Sequence, residues 1–178
     1  MKKILFLFAA AATLISCEGP QGPAGFDGLD GLDGVNVVAQ SFERTVDFDA
    51  NYEALITYPP EVEVFPDDMT LVYILFDEVQ GNNGGLVDVW RLLPQTLYSD
   101  FGEYQYNYDF TNGDVRLFVD GPATTDLTLL GSGDLDNQTF RVVILPVDLI
   151  NAGVDVTDYN AVMSLGGLSE VDIIQLED

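Results

Sequence analysis

The sequence predicts an all-β fold, an antiparallel β-sandwich of immunoglobulin-like or jelly-roll-like kind with one short C-terminal helix. Three observations carry that expectation. Residues 37–178 fall into eight to ten short apolar or alternating segments, with Gly, Pro, Asn or Asp stops roughly every ten residues. Asn112-Gly113 stands between two alternating segments, which is the strongest short-range hairpin signal. Nothing in the order of segments suggests a parallel sheet, and a closed barrel is the alternative architecture.

Each element follows from its own pattern. Val37–Phe48 alternates, with Val38, Phe42, Val46 and Phe48 on one side, and reads as a half-buried strand. Tyr52–Tyr58 is a second strand, stopped by Pro59-Pro60. Glu61–Val64 is a short third one. Thr70–Val79 is long and nearly all apolar, so it belongs near the centre of a sheet. Gly81–Gly85 turns the chain and Leu86–Leu93 returns, ended by Pro94. Gln95–Tyr98 reads as a short edge.

The hairpin Glu103–Thr111 and Asp114–Asp120 has a register that follows from its two-residue loop. Thr111 faces Asp114, Phe110 faces Val115, Tyr108 faces Leu117, Tyr106 faces Val119, and Asp109 faces Arg116 on the other side. The stripe Tyr104, Tyr106, Tyr108, Phe110 then shares a face with Val115, Leu117 and Val119. Core packing is favoured over a sugar-stacking platform. Asp126–Leu130 reads as a strand, Gly131–Asn137 as a loop, and Thr139–Leu145 as a strong strand closed by Pro146. Thr157 or Asp158 caps a helix carrying Tyr159, Val162 and Met163 at helical spacing, with Gly166-Gly167 as its end. Val171–Leu176 is a last strand.

The inventory of reactive side chains is narrow. There is no histidine, so Ser-His and Cys-His nucleophile pairs and histidine-ligated zinc are excluded. Lys2 and Lys3 are the only lysines, and no dinucleotide or P-loop glycine motif occurs. Only carboxylate chemistry stays open, of the kind glycoside hydrolases use. An EF-hand-like start at Asp47-Phe48-Asp49-Ala50-Asn51 fails, because Tyr52 and Tyr58 replace the required glycine and glutamate. Asp134, Asp136 and Asn137, in a Gly-rich stretch, are the candidate ligands for a loop calcium ion, as are Asp109, Asn112 and Asp114. Asp- and Asn-rich loops are more often ordinary turns. No other cofactor is expected. The four arginines, Arg44, Arg91, Arg116 and Arg141, all fall in predicted strands, where cross-strand ion pairs explain them better than an anion cradle. Trp90 beside Arg91 reads as core before it reads as a cation–π ligand site.

The N-terminus is of a different character. Lys2-Lys3 precede a dozen apolar or small residues, Ile4–Ile15, too few to span a bilayer and typical of a secretory leader. Leu14-Ile15-Ser16-Cys17 then follows, and Cys17 is the only cysteine, with no disulfide partner in the chain. Gly19, Gly22, Gly25, Gly28, Gly31 and Gly34 recur at every third position, the G-X-Y pattern of a collagen-like segment. The first motif resembles the lipobox of bacterial lipoproteins. The stretch 1–36 as a whole resembles the short collagen-like segments that follow the lipid-modified cysteine in bacteroidete surface lipoproteins. The resemblance implies acylation of Cys17, cleavage before it, and an outer-membrane or cell-surface location in the bacterial envelope. It also implies three regions: a signal peptide at 1–16, a lipidated cysteine and spacer at 17–36, and the β-sandwich at 37–178.

Removing the leader leaves four bases against thirty acids, a net charge of −26. Such a chain repels nucleic acid. The spacer places Asp27, Asp30 and Asp33 at successive third positions, which opposes a stalk-mediated homotrimer and favours a monomer. As an extended chain it spans roughly 50 Å at about 3.1 Å per residue. The leading expectation is a non-enzymatic, lipid-anchored adhesion, binding or structural module with a protein or glycan ligand. The alternatives are a carbohydrate-binding component of a glycan-uptake system, which needs exposed aromatics, and a carboxylate-only glycoside hydrolase, which needs two facing acids in a cleft.

Overall fold

The computed structural model describes residues 39–151, 153–165, 168 and 174–175. All of these residues belong to the compact unit Val35–Asp178. The leader, Cys17 and the six spacer glycines lie outside the described residues.

Among the described residues nine strands form two sheets. They are β1 (Gln40–Val46), β2 (Glu53–Thr57), β3 (Met69–Gln80), β4 (Leu86–Leu92), β5 (Gln95–Ser99), β6 (Gly102–Phe110), β7 (Asp114–Asp120), β8 (Gln138–Leu145) and β9 (Ile174–Gln175). The larger sheet has the order β4-β3-β8-β1-β9 and the smaller β2-β7-β6-β5. The chain is therefore an all-β sandwich, with a short helix α3 (Tyr159–Leu165) near its C-terminus. Asp158 caps that helix, accepting from the backbone N–H of Asn160 and Ala161. The one parallel pairing among the described strands is β1 with β9, over two residue pairs.

The inter-sheet core follows from alternation. Phe42, Ile74, Phe140, Val142 and Ile144 of the larger sheet meet Ile56, Tyr104, Tyr106, Val115 and Leu117 of the smaller. The hairpin β6–β7 pairs in the predicted register, from Tyr106↔Val119 to Phe110↔Val115, with Asp109 opposite Arg116. Tyr104 and Tyr106 are buried, as that register requires. Neither Asn112 nor Gly113 takes a positive φ. Instead the Thr111 hydroxyl oxygen accepts from the N–H of Gly113 and Asp114, closing the turn through a side chain.

Three local expectations are corrected, and one element was not expected. Glu61–Val64 forms no strand. Leu127–Leu129, expected inside a strand, is a 3-10 turn, because the Asp126 carboxylate caps the Thr128 N–H and tightens the chain. Within 131–137, expected as loop, Ser132–Leu135 closes one helical turn (α1), with Asp134 accepting from the Gly131 N–H. Val147–Asn151, directly after Pro146, forms a further short helix (α2). Two of these differences are side-chain–backbone bonds of aspartate, which compete with strand formation.

The first strand differs from expectation in a way that matters for the site. A half-buried strand exposes one face, yet Ser41 and Glu43, on the face opposite Phe42, are buried too. So is the whole of β8 beyond Thr139. The outer face of the larger sheet is covered by α2, α3 and the segment joining them. Leu71, Tyr73, Val143 and Leu145 pack there against Val162, Met163 and Tyr159. That cover makes a third layer over one sheet only.

Candidate functional site

Beneath the helical cover lies a fully buried arginine. Arg141 sits on β8, 1% exposed, directly opposite Glu43 of β1 in the antiparallel register. Its Nε and Nη2 donate to Glu43 Oε1 at 2.7 and 2.5 Å. Its Nη1 donates to the hydroxyl of Tyr159 on α3. The guanidinium also lies 4.1 Å from the ring centroid of Trp90 on β4. One cation thus ties together a central strand, its neighbour, the helix and the edge strand. Buried charges of this kind persist only when paired and hydrogen-bonded. Tyr73, opposite Arg141 on β3, packs edge-on against Tyr159 with centroids 5.2 Å apart. Burial pushes its phenol well above the ordinary tyrosine range.

Next to this network a cleft of about 480 Å³ opens between β4 and α3. Trp90 and Tyr159 line it, with Asp88, Asn160, Leu86 and Val87. Leu86 and Val87 are 65% and 53% exposed, among the most exposed large apolar residues of the described chain. They lie near the tip of the β3–β4 hairpin, where β3 has run past the end of its pairing with β8 at Ile74 and pairs only with β4. The side chains of Asp88 and Asn160 make no hydrogen bond among the described residues, so both polar groups are available to an occupant.

A second cleft, also about 480 Å³, lies between the end of β1 and the edge strand β2, with Arg44, Asp47, Asp49, Glu53 and Asn137 on its walls. Its acids already serve the backbone or an arginine. Asp47 accepts from the Asn137 N–H at 2.7 Å, holding Asn137 at φ 54°. Asp49 accepts from the N–H of Asn51 and Glu53, and those two backbone bonds hold its carboxyl below the ordinary range. Glu53 pairs with Arg116 at 3.1 Å.

The residues singled out from the sequence are placed as follows. Asp134 and Asn137, two of the three candidate loop ligands, already have structural duties. Asp134 caps α1 and accepts from the Tyr104 hydroxyl at 2.7 Å, while its carbonyl accepts from Tyr106. Asn137 turns the chain into β8. Asp109 is held by Arg116, and Asp114 accepts from the Thr111 hydroxyl. Among the described residues no three His, Cys, Asp or Glu side chains converge to hold a metal ion. The Tyr104–Phe110 stripe forms no stacking platform, since its first two rings are in the core and the Tyr108 hydroxyl donates to the Thr70 carbonyl. Arg116 meets Asp109, as register predicts. Arg91 stacks on Phe76 at 3.4 Å, not on its neighbour Trp90.

Sequence reasoning missed the Arg141–Glu43 pair and the cleft beside it. The pair joins residues 98 positions apart, so only the β1–β8 pairing reveals it. One signal was available: an arginine in the middle of the strongly apolar run Thr139–Leu145 must find a buried partner. No protein-family model, no curated protein and no solved structure matches this chain.

Proposed function

We propose that the chain is a lipid-anchored protein of the bacterial cell envelope, whose β-sandwich is a non-catalytic binding module held off the membrane by the collagen-like spacer. The observation that carries this reading is the order of motifs in the sequence. An apolar leader, Leu14-Ile15-Ser16-Cys17 and six glycines in strict triplet register immediately precede a domain of a different kind. Acylation of Cys17 anchors the chain without a spanning helix, since each buried methylene contributes about 0.8 kcal/mol and two or more chains suffice.

Binding is favoured over catalysis by what the acids do. A general acid of a glycoside hydrolase needs a carboxyl held above its ordinary pKa beside a second carboxylate. In the cleft where acids gather, Asp49 is shifted the opposite way and its neighbours are engaged in structural bonds. The cleft beside Trp90 has a single carboxylate, Asp88, among aromatic, amide and apolar walls. That is the chemistry of recognition.

The test is expression of the full chain and of Cys17→Ala in a bacterial host fed a labelled fatty acid. The parent should take up label and sediment with membranes. The variant should stay folded, take up none and be released once the leader is removed. Label on the variant, or membrane retention of its mature form, refutes the anchor.

A further inference from the structure

We propose that the cleft between β4 and α3 binds a neutral saccharide, one ring packed on Trp90 with its hydroxyls bonded to Asp88 and Asn160. This names the ligand class for the binding module proposed above and rests on that reading.

Four observations lead to it. The cleft has about 480 Å³, inside the range of roughly 300–1,000 Å³ common to small-molecule sites. Its walls combine one indole and one phenol with a carboxylate and an amide. Aromatic rings pack against the C–H face of a sugar, while planar Asp and Asn groups bond its hydroxyls. Asp88 and Asn160 have no side-chain hydrogen-bond partner among the described residues, so a hydroxylated ligand displaces only water from them. Finally, the aromatic walls are fixed before any ligand arrives. Arg141 bonds the Tyr159 hydroxyl and stacks on Trp90, and Glu43 holds Arg141. Walls locked in this way lose little freedom on binding.

Charge selects among ligand classes. A chain carrying −24 repels anionic ligands, acidic polysaccharides included. For a cation, the indole is already engaged: one of its faces carries the Arg141 guanidinium, which answers the ring's negative quadrupole. A neutral polyhydroxylated ring meets neither objection. The exposed Leu86 and Val87 extend the apolar wall toward the hairpin tip, where a second sugar unit of a longer chain would lie.

Trp90 is the only tryptophan, so its fluorescence reports on this cleft alone. The experiment titrates the full chain, in a detergent without a sugar headgroup, with neutral hexasaccharides of β-1,4-glucan, α-1,4-glucan, β-1,4-xylan and β-1,4-mannan. A hexa-uronic acid and a hexa-lysine peptide serve as charged probes. At least one neutral hexasaccharide should shift the Trp90 emission saturably below 10 mM, and the uronic acid should not. Asn160→Ala and Asp88→Ala, both at exposed positions, should each weaken binding about 3- to 10-fold, the loss of one hydrogen bond. Tyr98→Ala, which removes the most exposed aromatic ring of the other sheet, should leave it unchanged. No response to any neutral probe, a response to hexa-lysine alone, or affinity that depends on Tyr98 and not on Asn160 overturns the proposal. Anchoring through Cys17 is not read in this assay. Failure here with intact fatty-acid labelling therefore refutes the ligand and leaves the anchor standing.

Discussion

Replacing Arg141 by methionine should be among the most damaging substitutions in the domain, and replacing Glu43 as well should restore most of the loss. The Arg141 side chain is 1% exposed and that of Glu43 11%. Methionine fills the same stem volume, so the change removes charge and donors while leaving little cavity. Glu43 then keeps its carboxylate beneath the helical layer without its arginine, and the Tyr159 hydroxyl loses the Nη1 donor. Breaking a buried ion pair by removing one partner costs about 3–5 kcal/mol. For a domain this size, with total stability of about 5–15 kcal/mol, that is about a fifth or more of the whole. With a urea slope of about 2 kcal/mol/M, the midpoint should fall by about 2 M. Glu43→Leu combined with Arg141→Met leaves no buried charge, and the double variant should lie within about 1–2 kcal/mol of the parent. Glu43→Leu alone strands the buried guanidinium at a similar cost, so the coupling energy of the cycle is about 4–9 kcal/mol. Urea melts followed by circular dichroism give all four corners, and Trp90 emission reports loss of the stacked guanidinium. If Arg141→Met shifts the midpoint by less than about 0.5 M, or if the double variant is as unstable as the single one, the pair does not hold the outer layer and the reasoning fails.

Further expectations follow from single contacts. Tyr106→Phe should cost about 1 kcal/mol, the bond to the Asp134 carbonyl, and Tyr106→Ala about 3–5 kcal/mol, with chemical denaturation as the measure. Asp49 and Asp155 titrate below the ordinary range because backbone N–H groups and, at Asp155, the Thr157 hydroxyl favour the anion. Their contribution is present above the unfolded-state pKa of about 4 and is lost as pH falls through the lower folded-state values. Thermal melts should accordingly be flat from pH 7 to about 5 and fall below about 4, with a shallower fall in Asp49→Asn; an equal fall in that variant would assign the acid lability elsewhere. At the alkaline end burial raises Tyr58, Tyr73, Tyr104, Tyr106 and Tyr108. Their neutral forms stabilise the fold below pH 10, and that stability drains away as pH rises toward the folded-state values. Ultraviolet titration should show these five tyrosines ionising late, together with alkaline unfolding.

How much of this was legible in the sequence depends on how local the cause is. The β6–β7 hairpin was legible to the residue, because a two-residue loop and period-2 alternation determine the register without reference to anything else. The short helix at Tyr159 was legible from its Asp158 cap and its apolar spacing. Stretches where a side chain seizes the backbone were not. Asp126 and Asp134 turn their segments into a 3-10 turn and a helical turn, against apolar or Gly-rich composition that suggested strand and loop. The burial of both faces of β1 was illegible for another reason. Alternation tells which residues share a face, but only the helices, far along the chain, decide whether the second face is covered as well.

That second face explains why an acidic chain with four arginines places one of them where no water reaches. Apolar residues alone would cover the outer face of β8, and they would do so in either register. Along Phe140-Arg141-Val142-Val143-Ile144-Leu145 nearly every residue is apolar, so a slip of one position against β1 or β3 loses little hydrophobic burial. It does, however, drive Arg141 into the inter-sheet core among Phe42, Ile74 and Leu117, with no carboxylate of that cluster to meet it. An unpaired buried charge is costly enough to exclude that arrangement. Glu43 and Arg141 therefore act as a register pin for a strand whose apolar pattern cannot set its own register. The same pin contacts both aromatic walls of the cleft, Tyr159 and Trp90. On this argument the Glu43→Leu, Arg141→Met double variant should keep its stability yet lose definition: hydrogen exchange of the β8 amides should speed up, and any ligand bound at Trp90 should bind more weakly. Unchanged exchange and unchanged binding in that variant would show that the helical cover alone holds the register.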